Sequence, residues 1–131
     1  MPLEFVGMKD NKAKVFTIDE LGDWIYGKVR RGMDRNNAKL CAAYIMQHSG
    51  TGGGTGHSLG PKGESIFHIS HGNKQKKNEG CTVFFVGRNN KHAVIVGIGQ
   101  HWSGAKNKDN VYRLDWKRGD WNAADGYKVT L

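Results

Sequence analysis

The sequence predicts an α+β fold: N-terminal helices packed on a twisted, mainly antiparallel sheet of about four to five strands. Three observations carry this. Apolar residues recur at helical spacing between residues 17 and 48. Three β-type runs then follow one another: Ile66-Phe67-His68-Ile69-Ser70, Thr82-Val83-Phe84-Phe85-Val86 and Ala93-Val94-Ile95-Val96-Gly97-Ile98. The turn between the last two, Arg88-Asn89-Asn90-Lys91, makes them antiparallel neighbours, because Asn tolerates positive φ.

Residues 1–16 read as an N-terminal strand or arm, with apolar Phe5, Val6, Val15 and Phe16. Thr17-Ile18-Asp19-Glu20 is a capping box: a Thr and a Glu three residues on each satisfy an orphan backbone amide. The helix that follows shows Ile18, Leu21, Ile25 and Val29 on one face. Its basic end, Lys28, Arg30 and Arg31, complements the helix dipole, and Gly32 fits a stop. A second helix is expected from near Asp34 to about His48, with Leu40, Cys41, Tyr44 and Ile45 as its apolar face. Residues 49–60 form a glycine-rich loop, which is costly to order. It fits neither a P-loop nor a dinucleotide fingerprint and reads as a lid or linker. After the third β-run, Val111 to Leu114 and Tyr127 to Thr130 are further short strands. Strands two and three are apolar on both faces, as in the centre of a covered sheet.

At 131 residues the chain is expected to form a single domain, 1–131, able to bury a core without staples. Lys and Arg number 20 against 12 Asp and Glu, for a net charge of +8, so an acidic partner is expected, nucleic acid first. Cys41 and Cys81 lack metal-ligand spacing and read as two buried thiols of a reducing compartment. No apolar run approaches the roughly 20 residues of a membrane span, so no membrane partner is expected. The N-terminus lacks the pattern of a signal peptide. The expectation is a cytoplasmic site of action, with a dedicated secretion system if the chain is exported.

Side chains alternate faces along a strand. Phe67 and Ile69 are therefore expected to meet the helices, while His68 and Ser70 share the other face, leaving His68 toward solvent or a ligand. In the third strand Ala93, Ile95, Gly97, Gly99 and His101 are expected to share one face, the glycines clearing a trough that ends in the imidazole. Arg88, Lys91, Lys106 and Lys108 are candidate phosphate contacts at its edges. His48, His57, His71 and His92 read as surface or loop residues, and a zinc site from His57, His68 and His71 lacks a tight ligand spacing. Trp102, Trp116 and Trp121 read as core residues or base-stacking platforms.

The order of elements resembles the RelE-type toxins, in the wider group of small ribonucleases that includes barnase. Phe67-His68-Ile69-Ser70 stands where that family has an aromatic–basic–aliphatic–basic strand. Thr82 to Val86 stands for its aromatic-rich strand, and Ala93 through His101 for its aliphatic strand ending in a basic residue. Tyr112 matches a tyrosine a few residues further on. The resemblance covers roughly residues 18 to 114 and is one of element order. The family usually carries Lys or Arg where this chain has His68, Ser70 and His101, and an arginine where it has Cys81 and Thr82.

The resemblance implies metal-independent RNA cleavage with no cofactor, by attack of the ribose 2′-hydroxyl to leave a 2′,3′-cyclic phosphate. Histidine suits the acid and the base because it titrates near neutral pH. His68 and His101 are the candidate pair, with Tyr112 for positioning or proton transfer. Ser70, Arg88, Lys91, Lys106 and Arg113 are the candidate substrate contacts. The implied partners are RNA, free, ribosome-bound or tRNA, and an acidic antitoxin or immunity protein. A non-catalytic RNA-binding module and a structural or adaptor protein remain as alternatives.

Overall fold

A computed structural model describes residues 4–9, 12–29, 32–48, 66–72, 79–87, 92–101, 111–118 and 128–130. Its order is β1 (Glu4–Lys9), β2 (Lys12–Val15), α1 (Ile18–Lys28), α2 (Arg35–His48), β3 (Ile66–His71), β4 (Cys81–Gly87), β5 (His92–His101), β6 (Val111–Lys117) and β7 (Lys128–Thr130).

The α1 cap is as the sequence implies. Glu20 N–H donates to Thr17 Oγ1 at 3.2 Å, and Thr17 N–H donates to Glu20 Oε1 at 3.3 Å. Lys14 of β2 adds an ion pair to the same carboxylate. This hydrogen-bonded lysine, then the Thr17 amide, holds the Glu20 carboxyl below its ordinary pKa. Asp34 caps α2, accepting from the Asn37 N–H at 2.7 Å. The pairs Asp19–Lys39 at 2.7 Å and Asp23–Arg35 at 3.0 Å run in opposite chain directions, so the helices are antiparallel. Gly22 permits their close approach: a Cβ there would lie 3.2 Å from Lys39 Cα.

The strands form one seven-stranded mixed sheet in the order β2-β1-β5-β4-β3. Pairings β1–β2, β3–β4, β4–β5 and β5–β6 are antiparallel, while β1–β5 and β6–β7 are parallel. β5 is the hub. One edge pairs with β4; the other is shared by β1, at His92 to Val94, and β6, at Gly97 to His101. His92 Nε2 lies 3.0 Å from Glu4 Oε2 across the β1–β5 pair. Both helices pack on one face of the sheet. The core there joins Leu21, Ile25, Ala38, Cys41, Ala42 and Ile45 to Phe5, Ile69, Val83, Phe85, Ala93, Ile95 and Ile98. Phe5 and Phe85 meet edge to face at 5.3 Å. Fully burying a side chain of this size contributes about 1.5–3 kcal/mol.

The α+β architecture and the helices-on-sheet packing follow the sequence expectation. Three details differ. The N-terminal arm is a pair of antiparallel strands, and among the described residues the sheet has seven strands rather than four or five. Ile18 is 43% exposed, because α1 buries Leu21, Gly22 and Ile25 and its first residue falls beyond that contact. Leu40 is 52% exposed. The buried stripe of α2 is Ala38, Cys41, Ala42 and Ile45, and at 3.6 residues per turn Leu40 points roughly the opposite way. Small alanines, rather than the leucine, face the core. Cys41 and Cys81 are buried free thiols.

Candidate functional site

The strands carry two unlike faces. Phe67 and Ile69 of β3 lie on the helix side, Phe67 stacked 5.9 Å from Phe85. His68 lies on the other side, its ring 6.0 Å from that of Phe84. Phe84 belongs to a second buried cluster with Val86, Val96 and Leu114, against which Val94 packs. Ser70 shares the parity of His68, and its Oγ lies 2.7 Å from Thr82 Oγ1.

A β-bulge decides which residues of β5 join this second face. Phe85 pairs with Ile95, but the next β4 residue, Phe84, pairs with Gly97. Val96 is thus an extra residue, and the alternation of β5 shifts by one. Ala93 and Ile95 precede the bulge and enter the helix-side core; Ile98 follows it and enters the same core. The expectation of one face shared by Ala93, Ile95, Gly97, Gly99 and His101 is therefore corrected. Ile95 and Ile98 are three residues apart, and a regular strand would put them on opposite faces. The bulge reconciles them and places Gly97 opposite Phe84, and Gly99 opposite both Thr82 and Leu114. Two residues further on, His101 pairs with Tyr112 of β6.

The register positions of His68 and His101 therefore lie in rows of the same face. They are two strands and four residues apart, roughly 16 Å between backbones at ordinary sheet spacings. Between them on that face lie Phe84, in the row of His68, and the short residues Ser70, Thr82, Gly97 and Gly99. His68 and Ser70 are half-buried, whereas Thr82 is 1% exposed and both glycines are buried. The face is thus open along β3 and closed at its centre. Arg113 pairs with Gln100, one position off the His101–Tyr112 row. The side chains of His101, Tyr112 and Arg113 lie outside the description, as do Arg88, Lys91, Lys106 and Lys108. His57, Trp102, Trp121 and residues 49–60 also lie outside it.

Trp116 packs against the helix-side core, edge to face with Trp24 at 5.3 Å, with Lys28 Nζ 5.5 Å from its ring. A ring cluster went unrecognised in the sequence. Tyr44 lies 4.2 Å from His48 and 4.6 Å from His71, both tilted by 32°. Its one sequence signal is the i,i+4 spacing of Tyr44 and His48 on α2. His71 arrives from β3, a contact no local pattern reveals. Among the described residues no group of three or more His, Cys, Asp or Glu could hold a metal ion, and no helix is long and apolar enough to cross a membrane.

Comparison of the chain with protein-family models, with curated proteins and with solved structures returns no match.

Proposed function

We propose that this chain is a metal-independent endoribonuclease of toxin type, acting on the sheet face opposite the helices. The observation that supports this most is the β5 bulge, which turns the Gly97–Gly99 row away from the helix-side core and onto the face of His68. A net charge of +8 suits an RNA substrate. In this reading one of His68 and His101 takes the proton of the ribose 2′-hydroxyl. The freed oxygen attacks the neighbouring phosphorus, and the 5′-oxygen leaves with a proton from the other histidine. The products are a 2′,3′-cyclic phosphate and a 5′-hydroxyl. Tyr112 positions the substrate or relays a proton. Ser70 contacts it, and Arg88, Lys91, Lys106 and Arg113 offset charge on the phosphorane. An acidic antitoxin or immunity protein would cover such a face.

The test is incubation of total RNA with the purified chain in excess EDTA, beside His68→Ala and His101→Ala. Cleavage by wild type alone, leaving cyclic-phosphate ends, is the expected result. Loss of roughly 100-fold or more in rate is expected for each variant, the usual scale of a general acid or base. A second reading, an RNA-binding module without catalysis, is favoured by the closed centre of the face, where Thr82 is 1% exposed. It predicts no cleavage by any of the three, with salt-dependent RNA affinity intact in both variants.

A further inference from the structure

The cluster of Tyr44, His48 and His71 takes no part in that chemistry, and its construction suggests another role. Tyr44 and His48 sit one turn apart on α2, and His71 ends β3, so rings from two elements converge on one phenol. All three residues are half-buried, so each keeps a solvent-facing surface. None of the three is a member of the buried core; Tyr44 only packs against it. Among the described residues β3 is the last strand of the sheet path, so the rings stand beside an edge. Along that same strand His68 lies three residues away, about 10 Å at strand spacing, on the opposite face.

Gly72 has φ +92°, and a Cβ there would collide with the carbonyl oxygen of Glu79. Cys81 of β4 pairs with His71. Cys41 Sγ of α2 reaches that same Glu79 carbonyl at 3.9 Å. The His71 ring itself meets α2 through Tyr44, at 4.6 Å.

We propose that the Tyr44–His48–His71 rings form a nucleobase-stacking subsite, which takes one unpaired base of a single-stranded RNA lying along the outer edge of β3. The subsite rests on the ribonuclease reading for its substrate and deepens it: it makes the substrate single-stranded, because the faces of a base inside a duplex are covered by its stacked neighbours. Stacking on rings is tolerant of base identity, so the subsite gives strandedness rather than sequence.

The experiment measures the affinity of the full chain for a short single-stranded 2′-O-methyl RNA, which lacks the attacking hydroxyl, and for the same oligomer with abasic sites. Wild type, His71→Ala and His71→Phe are compared, each checked for folding by circular dichroism. His71→Ala is expected to lose roughly tenfold or more in affinity for the base-bearing oligomer, the scale of one base–aromatic stack. His71→Phe is expected to restore most of it, and the abasic oligomer to bind all three proteins alike. Equal loss by His71→Phe, or equal loss on the abasic oligomer, overturns the subsite while leaving RNA recognition standing. Wild type that binds neither oligomer overturns the ribonuclease reading and the subsite with it.

Discussion

On its helix side the sheet buries Phe5, Ile69, Val83, Phe85, Ala93, Ile95 and Ile98 against side chains from both helices. On the other side Phe84, Val86, Val96 and Leu114 form a smaller cluster with no described helical member. The same strands build both. β4 supplies Val83 and Phe85 to one face and Phe84 and Val86 to the other, which is why its sequence is apolar without alternation. The difference lies in what each face admits. The helix side interlocks large aromatic and aliphatic side chains with small alanines. The second side mixes apolar residues with glycines, a hydroxyl pair and a histidine.

The largest expected effect probes the helix side. Phe5→Ala should cost about 3–5 kcal/mol in denaturant unfolding, since Phe5 is wholly buried and touches Phe85. Leu114→Ala, in the smaller cluster, should cost about 2 kcal/mol, the low end for a leucine truncation. If Leu114→Ala cost as much as Phe5→Ala, the two faces would be equal cores and the asymmetry would fail.

A finer probe uses Thr82, the one buried polar residue among those described. Thr82→Val keeps the shape and removes the partner of Ser70 Oγ, so a loss of about 1 kcal/mol is expected. No loss in a thermal melt would mean that the hydroxyl pair is not part of what holds β3 to β4.

The smallest effect concerns acid. The Glu20 carboxyl titrates below its ordinary range because Lys14 and the Thr17 amide favour its charged form. A depressed folded pKa gives stability that is present above the unfolded pKa and lost as pH falls through the folded one. Glu20→Gln should therefore flatten the stability curve below the ordinary carboxylate range and lower the plateau at neutral pH slightly. A variant whose acid limb overlays that of wild type would remove this contact from the helix side's account.

Periodicity and capping chemistry made the helices and the central strands legible. Thr17 and Glu20 announce α1, and Arg88 to Lys91 announces the antiparallel β4–β5 pair that the structure contains. Strict alternation misplaced half of β5, because a bulge is a two-strand property: it exists only when Phe84 and Phe85 are matched against Ile95 and Gly97. Leu40 misled for a different reason. Hydrophobicity alone ranks leucine above alanine, while close packing favoured Ala38 and Ala42. His71 and Tyr44 are 27 positions apart in the chain, so their contact has no local signature.

The division of β5 between β1 and β6 has a temporal side. Phe5 must find Ala93, 88 positions later in the chain, before the second edge of β1 is satisfied. Its antiparallel pair with β2 can close early, as can the pairing of α1 with α2, but pairings so distant in sequence slow folding. Until β5 emerges, the nascent chain carries an unpaired strand edge bearing Phe5, and this interval is when it is most exposed to mispairing.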